Sequence, residues 1–237
     1  MSSLFIVIIA TSIAGLAMPL GGLLARVEHF QSRWLEEEIR HAVMAFGGGA
    51  LLSAVGLVLV PESIHHVPVW LASVSFLGGS VAFMALDMFL KKNKTPASQL
   101  AAMLADFIPE SIALGAAIAI NSPSSYLLAA LIALQNIPEG FNAYRELATS
   151  PKYKAGKILA IFFALALLGP VAGISGYLWL SDYHVLLSII MLAASGGILY
   201  SVFQDIAPQV KLEAHWFPPM GAVLGFLLGV MGFMLTR

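Results

Sequence analysis

Cysteine is absent from the 237 residues of this chain, and charge is scarce. Without thiols the chain can form neither a disulfide framework nor a thiolate metal site. Charged residues make up 11% of the sequence, whereas an ordinary soluble domain carries about 25%. Hydrophobic residues reach 59%, which leaves too few polar residues to cover a surface that faces water. The composition therefore predicts a protein whose outer solvent is lipid.

A basic excess is also missing, because the formal net charge is −1. Proteins that bind nucleic acid usually carry such an excess, so we expect no nucleic-acid partner. The N-terminal run also lacks the positively charged region that opens a cleavable signal peptide, and its apolar stretch continues to about Leu24. That length is enough to span a bilayer. We therefore predict a first membrane helix here.

Eight apolar stretches reach the length of about 20 residues that a membrane crossing needs. The predicted helices cover about 3–25, 42–61, 68–90, 98–120, 125–146, 157–180, 184–205 and 217–235. The longest connection, from Arg26 to Arg40, is predicted to be an amphipathic helix at the membrane interface. The expected fold class is an all-α membrane protein with one transmembrane domain over residues 1–237.

The distribution of Lys and Arg predicts the orientation of the chain. Eleven of the 12 basic residues lie on alternate connections that share one side, and Arg237 alone lies on the other. Basic loops remain in the cytoplasm. We therefore expect a multi-pass protein of the plasma or inner membrane, with both termini outside the cytoplasm.

The sequence carries a faint internal symmetry. Helices 1 and 6 align on Pro19 and Pro170, and helices 2 and 7 align on the Gly-Gly pairs that begin at Gly48 and Gly196. Helices 4 and 5 share the run Ile-Pro-Glu, at 108–110 and 137–139. This order predicts a 3+2+3 inverted-repeat bundle of eight helices. Inverted repeats are typical of secondary transporters, whose sites lie near the midplane.

Acidic residues near the centres of helices 4 and 5 are the candidate functional groups. Asp106 and Glu110 are four residues apart and share a helical face, as do Gln135 and Glu139. Ionisable residues inside a membrane are costly and usually functional. No Lys, Arg or His falls near the middle of any span, so these acids must be protonated or bound to a metal ion. The amide of Gln135 on the same face favours a divalent cation.

Each of these two helices also has a proline directly before its glutamate. Pro109 and Pro138 each lack a backbone donor, which frees the carbonyls of Ala105 and Leu134. Broken helices are tolerated at membrane depth where they line a cavity. These carbonyls are therefore candidate ligands for an ion or for water.

Helix 4, ADFIPESIALGAAIAI, and helix 5, LQNIPEGFNAY, resemble the paired signature helices of the ZIP (Zrt/Irt-like) metal transporters. The pattern of that family is roughly His-Asn-x-Pro-Glu-Gly on both helices. The ends of helix 2, LVLVPES at 57–63, and helix 7, DIAPQ at 205–209, are also similar. The resemblance implies a transporter whose substrate is a divalent cation of the zinc, iron or manganese class, with no organic cofactor.

The resemblance also implies which residues bind the ion. By position, its primary metal site falls on Asp106, Glu110, Gln135 and Glu139, with Asn136 beside them. Asp106 and Gln135 replace the two expected histidines. All-oxygen sites suit magnesium, calcium and manganese, whereas imidazole suits zinc, copper and iron. This set is therefore expected to favour harder ions than usual in the family, although zinc also binds carboxylates.

A second metal ion is not expected. The family positions that would help hold it correspond to Phe107 and Asn136, and a phenyl ring cannot ligate. An acid that precedes the proline of helix 6 in the family appears here as Gly169. These departures imply a single site.

Two further residues are candidates for the ion path. Glu62, at the outer end of helix 2 with His65 and His66 just beyond, could gather cations at the entrance. Asn142, one turn past Glu139, could extend a hydrophilic path toward the cytoplasm. An ordinary solvated loop and an ordinary polar helix position are the respective alternatives.

The same residues are compatible with other functions than transport of a metal ion. One is a degenerate relative that keeps the fold without transporting, and another is a proton-coupled carrier of an organic cation. An intramembrane serine protease is suggested by Gly-Ile-Ser-Gly at 173–176, but His184 and His215 lie at helix ends, away from the depth of Ser175. We therefore expect no enzymatic activity. A homodimer is left open.

Overall fold

The computed structural model describes residues 3–27, 33–92, 98–210 and 216–236. Within these ranges the chain contains no strand and forms eight long helices. The uninterrupted ones are α1 (Ser3–Val27), α3 (Val69–Lys92), α4 (Ser98–Ala119), α5 (Ser125–Ala148) and α8 (Phe217–Leu235). Three others are built from consecutive segments: α2 (Arg33–Ala54, Val55–Leu59, Val60–Ile64), α6 (Ala155–Ala166, Leu168–Ser175, Gly176–Leu180) and α7 (His184–Ser201, Val202–Ile206, Ala207–Val210).

The prediction of an all-helical chain of long apolar helices is confirmed, and most helix ends fall within a few residues of those predicted. The main difference lies between α1 and α2. The structure divides the connection predicted as an interfacial helix, because α1 continues to Val27 and α2 begins at Arg33. Residues 28–32 lie outside the described part.

Seven helices in the described ranges are long and apolar enough to cross a membrane. The exception is α5, because Gln135, Asn136, Glu139 and Asn142 interrupt its apolar sequence. This is the architecture of a multi-pass membrane protein, and the least apolar helix is the one that carries half of the candidate site.

The packing of the helices places α4 and α5 at the centre of the bundle. α1 packs along α5, α4 packs along α6, and these four helices contact one another. α2 pairs with α8 and α3 pairs with α7, and both pairs flank the four central helices. α2 also contacts α5, and α7 contacts α4, so the candidate site is surrounded by helices.

Proline explains where two of the segmented helices change geometry. In α2 the segment Val55–Leu59 is a π-helical turn that ends two residues before Pro61. In α7 the segment Val202–Ile206 is another, and it ends two residues before Pro208. Proline cannot donate to the carbonyl four residues earlier, so the regular ladder is broken there. Single π turns are rare and often occur at functional sites.

Glycine allows α1 and α5 to approach closely. A Cβ built on Gly140 would lie 2.8 Å from the Cα of Met18 and would overlap the Met18 carbonyl oxygen. Gly21 stands in the same relation to the Ile137 carbonyl. Small residues at helix contacts permit such backbone approach in membranes. These glycines therefore set the separation between α1 and the helix that carries Gln135 and Glu139.

We expect Gly140→Ala to lower the free energy of unfolding by up to about 2 kcal/mol. The added methyl would meet backbone atoms that no rotamer change can move, at a cost of about 1–3 kcal/mol, which exceeds the helix preference for alanine of roughly 1 kcal/mol. Denaturant unfolding in detergent measures the change. Gly156→Ala is the matched control, since a Cβ there meets no atom within 4 Å, and equal stability of the two variants would contradict the close crossing.

Candidate functional site

Buried side-chain oxygens without a hydrogen-bond partner are concentrated on α4 and α5. Among the described residues the buried unpartnered atoms are Asp106 Oδ1, Ser111 Oγ, Gln135 Oε1, Asn136 Oδ1 and Glu139 Oε2. Buried polar groups are hydrogen-bonded in the large majority of cases, so such exceptions need an explanation. These five oxygen atoms lie on two adjoining helices, and each lacks the hydrogen-bond donor or cation that a buried acceptor requires.

Gln135 and Glu110 form the best-connected part of this cluster. The side-chain amide nitrogen of Gln135 donates to Glu110 Oε1 at 2.8 Å and to Oε2 at 2.6 Å. Both side chains are fully buried. The Gln135 amide on α5 therefore stabilises the Glu110 carboxylate on α4. It takes the role that a positively charged side chain would otherwise have.

Asp106 and Glu139 form the unsatisfied part. Glu139 interacts electrostatically with both Asp106 and Glu110, and one oxygen of each of Asp106 and Glu139 lacks a partner. Asp106 is 3% exposed, so water solvates its charge only weakly. Two neighbouring carboxyl groups at this depth repel each other unless something positive lies between them.

The acidic side chains are neighbours, but they do not form a finished coordination sphere. In the described part of the chain, no group of three or more His, Asp or Glu residues lies close enough to hold a metal ion. In addition, the amide hydrogens of Gln135 occupy the Glu110 oxygens that an ion would use.

The structure gives Asn136 a contact of its own. Its side-chain nitrogen donates to the backbone oxygen of Ala14 in α1 at 2.8 Å, which ties α5 to α1. Its Oδ1 is buried without a partner. The residue next to Gln135 in the chain thus contributes to the α1–α5 contact.

Phe107 fills the space between α4 and α6. It is fully buried, and a Cβ built on Gly169 would lie 2.6 Å from its Cζ atom. An acidic side chain at position 169 would collide with this ring. Two of the three positions at which the resemblance would have placed ligands for another ion, Phe107 and Gly169, are therefore in contact with each other.

Ser111 is the member of the cluster that the sequence analysis missed. Its hydroxyl oxygen is fully buried and unpartnered. The available signal was its position directly after Glu110, but serine is common in membrane helices and usually bonds to its own backbone. The lack of that bond became visible only in the structure.

Three turns meet at one end of the bundle, here called the Glu62 end: 65–68, 120–124 and 181–183. Glu62 Oε1 accepts hydrogen bonds from the hydroxyls of Ser122, at 3.0 Å, and Ser124. Both serines belong to the turn between α4 and α5. Glu62 therefore lies beside the turn that joins α4 and α5, the two helices that carry the candidate site.

Further polar residues lie between the site and the opposite end of the bundle. Asn142 is half-buried on α5, one turn past Glu139. Asp205 on α7 interacts electrostatically with Asp106 and with Asp87 on α3. Lys91 forms an ion pair with Asp87 at 2.8 Å, and the Tyr200 hydroxyl donates to the same carboxylate at 3.2 Å. Acidic groups thus continue from the centre toward the far ends of α3 and α7.

Comparisons with protein-family models and with curated proteins find no match to this chain. The resemblance to the ZIP transporters therefore depends on the quoted motifs alone and stays a prediction.

Proposed function

We propose that this chain transports a divalent metal cation across a membrane, with the ion bound between α4 and α5 by Asp106, Glu139, Glu110 and Gln135. One observation carries the proposal: the buried, unpartnered acceptors gather on these two central helices, and two of them belong to neighbouring carboxyl groups. A cation of charge two would neutralise Asp106 and Glu139 together and would use the oxygens that lack partners.

In this proposal Gln135 changes from a hydrogen-bond donor to a metal ligand when the ion binds. Its nitrogen donates to Glu110 while its Oε1 is buried without a partner. Rotation of the amide would release both Glu110 oxygens and turn Oε1 toward the ion. The same side chain then stabilises the empty site as a donor and the loaded site as a ligand.

A single ion is the expected load. The ring of Phe107 packs against Gly169 where further ligands would be required. The remaining donors are carboxylate, amide and hydroxyl oxygens, which suit manganese and similar hard ions better than imidazole would. Among zinc, iron and manganese, we therefore expect manganese to be transported well relative to zinc.

The 3+2+3 inverted repeat is part of the proposal, and the packing supports it. Pro19 and Pro170 free the carbonyls of Gly15 and Ala166, and a Cβ built on Gly15 would lie 2.6 Å from the Ala166 oxygen. Gly15 and Ala166 are equivalent positions in the two halves of the proposed repeat. Equivalent residues that touch each other must lie close to the two-fold axis that relates the halves. The same operation exchanges the α1–α5 contact with α6–α4 and the α2–α8 contact with α7–α3.

The proposed path runs from the Glu62 end, outside the cytoplasm, to the basic connections inside it. Glu62 receives the cation at the mouth, the α4–α5 site binds it near the midplane, and Asn142 lies on the way to the cytoplasmic side. Basic loops on the inner side set this orientation. The protein would act in the plasma or inner membrane and needs no organic cofactor.

A second candidate is a proton-coupled carrier of an organic cation. It is favoured by the absence of an assembled group of three acidic or histidine ligands among the described residues. Protonation alone would also neutralise Asp106 and Glu139. In that case the carboxyl groups would relay protons and would not ligate a metal.

Flux into liposomes tests the proposal. The purified protein is reconstituted with a dye that reports divalent ions, and manganese, iron, zinc, magnesium and calcium are supplied in turn. We expect saturable flux of at least one ion, and loss of that flux in Glu110→Ala/Glu139→Ala. Flux that is equal in the double variant would overturn the site, no metal flux under a proton gradient would favour the organic-cation carrier, and a strong preference for zinc over manganese and iron would contradict the expected selectivity.

A further inference from the structure

Two histidines from different helices meet at the Glu62 end of the bundle. His66 lies two residues after Ile64, the last residue of α2, and His184 is the first residue of α7. Their imidazole rings are stacked, with centroids 5.1 Å apart and planes inclined by 19°. Both side chains are exposed, so ions in solution can reach them.

The backbone holds this pair in place from both sides. The N–H of His66 donates to the Ser63 carbonyl at 3.2 Å, and the Ser63 hydroxyl donates to the Leu59 carbonyl at 2.6 Å. The last segment of α2, Val60–Ile64, packs against α7. The backbones of the two histidines are therefore anchored by packed helix ends, while their exposed imidazoles are free to rotate.

We propose that His66 and His184 bind a divalent transition-metal ion between them, in a site separate from the carboxylate cluster of α4 and α5. Zinc binds imidazole nitrogen at about 2.0–2.1 Å in tetrahedral geometry, which places the centroids of two ligating rings about 5 Å apart. The observed separation meets this requirement. The stacked ring planes do not yet direct two nitrogens to one point, so each exposed ring would turn about its side-chain bonds when the ion binds.

The site takes two ligands from the protein. Among the described residues no third histidine or carboxylate joins the pair at metal-binding distance, so water fills the remaining positions. An ion held in this way is exchangeable, as in open zinc sites that keep a coordination position for water.

The donor chemistry separates this site from the one at the centre of the bundle. Imidazole selects zinc, copper and nickel, whereas carboxylate and amide oxygens suit manganese and magnesium. The histidine pair would therefore bind a borderline ion, whereas the carboxylate and amide oxygens of α4 and α5 would bind a harder one. A bound ion would also link the end of α2 to the start of α7.

The lack of cysteine in the chain provides a direct test. His66→Cys introduces one thiol next to His184, and thiolate with imidazole is a good ligand pair for zinc. The purified variant in detergent is reacted with a maleimide, with and without Zn²⁺. We expect saturating Zn²⁺ to slow the modification of His66→Cys by about tenfold or more, because a thiolate bound to zinc does not attack the maleimide and only the free thiolate reacts.

Matched variants decide the outcome. His65→Cys places the thiol one residue away, outside the pair, and should be protected far less. His66→Cys/His184→Ala removes the partner imidazole and should lose the protection. Equal protection in His66→Cys and His66→Cys/His184→Ala, or equal protection in His65→Cys, would overturn the proposal.

Zinc titration of the chain without introduced thiols gives a second readout. His66→Ala and His184→Ala should each lose a binding event that His65→Ala keeps. The event should persist in Glu110→Ala/Glu139→Ala, because the histidine site does not depend on the α4–α5 carboxylates. Loss of the event in that double variant would assign it to the central site and would contradict the histidine pair.

Discussion

Replacing Asp106 by Asn and Glu139 by Gln should stabilise the ion-free protein and abolish its stabilisation by divalent cations. These amides keep the shape of the acids and remove two neighbouring charges, whose unpartnered oxygens are Asp106 Oδ1 and Glu139 Oε2. An uncompensated buried charge is costly, so its removal is favourable when no ion is present. The same substitution removes the groups that would bind the ion.

The magnitude follows from ligand linkage. A cation at 100 times its dissociation constant stabilises the native state by about 2.7 kcal/mol, which corresponds to about 5–10 °C in the midpoint of thermal unfolding for a chain of this size. We expect this shift with Mn²⁺ for the native protein and none for Asp106→Asn/Glu139→Gln. Thermal unfolding in detergent, with and without Mn²⁺, measures both effects.

The control for this experiment is Asp182→Asn, which removes an exposed acid from a turn. It should keep both the native stability and the Mn²⁺ shift. A double amide variant that retains the full Mn²⁺ shift would show that the ion binds elsewhere. A double variant less stable than the native protein without ions would show that the two acids already have a favourable partner.

Gln135→Leu should destabilise the protein by about 1.5–3 kcal/mol. The Gln135 amide donates to both oxygens of Glu110, and a hydrogen bond to a charged group contributes about 1.5–3 kcal/mol. Leucine has a similar size and donates nothing, so the buried carboxylate of Glu110 would be left without a partner. Denaturant unfolding of the reconstituted or detergent-solubilised protein measures the loss.

A second substitution should recover the stability. Replacement of both partners by apolar groups of similar shape is close to neutral, so Glu110→Leu/Gln135→Leu is expected to unfold near the native midpoint. Gln204→Leu on α7 is the matched control, since that side chain is exposed. Native stability of Gln135→Leu, or no recovery in the double variant, would contradict the assigned contact.

The helices were largely predictable from the sequence because lipid requires continuous apolar stretches of nearly fixed length. Hydropathy does not report where a helix continues beyond the membrane, and this explains the early start of α2 at Arg33. Of the eight helices in the described ranges, α5 is the one not apolar enough to count as a membrane span, because the polar residues of the candidate site occupy it. The deviation from the apolar pattern was itself the signal of the site.

The contacts between helices were less predictable. Four-residue spacing placed Asp106 with Glu110 and Gln135 with Glu139, but it could not show that Gln135 would donate to Glu110. The same limit applies to Asn136, whose bond to Ala14 depends on how α1 crosses α5. Spacing along one helix defines a face, whereas the partner of that face depends on packing.

The histidine pair shows this limit most clearly. The sequence placed His66 in a loop and His184 at a helix end, far apart in the chain. Their contact arises because the end of α2 packs on α7. No local pattern in the sequence encodes that contact.

The π turns of α2 and α7 change which residues of each helix share a face. A π turn accommodates one residue more than an α turn, and each residue advances the helix by about 100°. Positions before and after Val55–Leu59 therefore differ in phase, so Gly48 and Glu62 do not belong on one helical wheel. The same holds on either side of Val202–Ile206. Each turn behaves as a one-residue insertion that redirects everything beyond it.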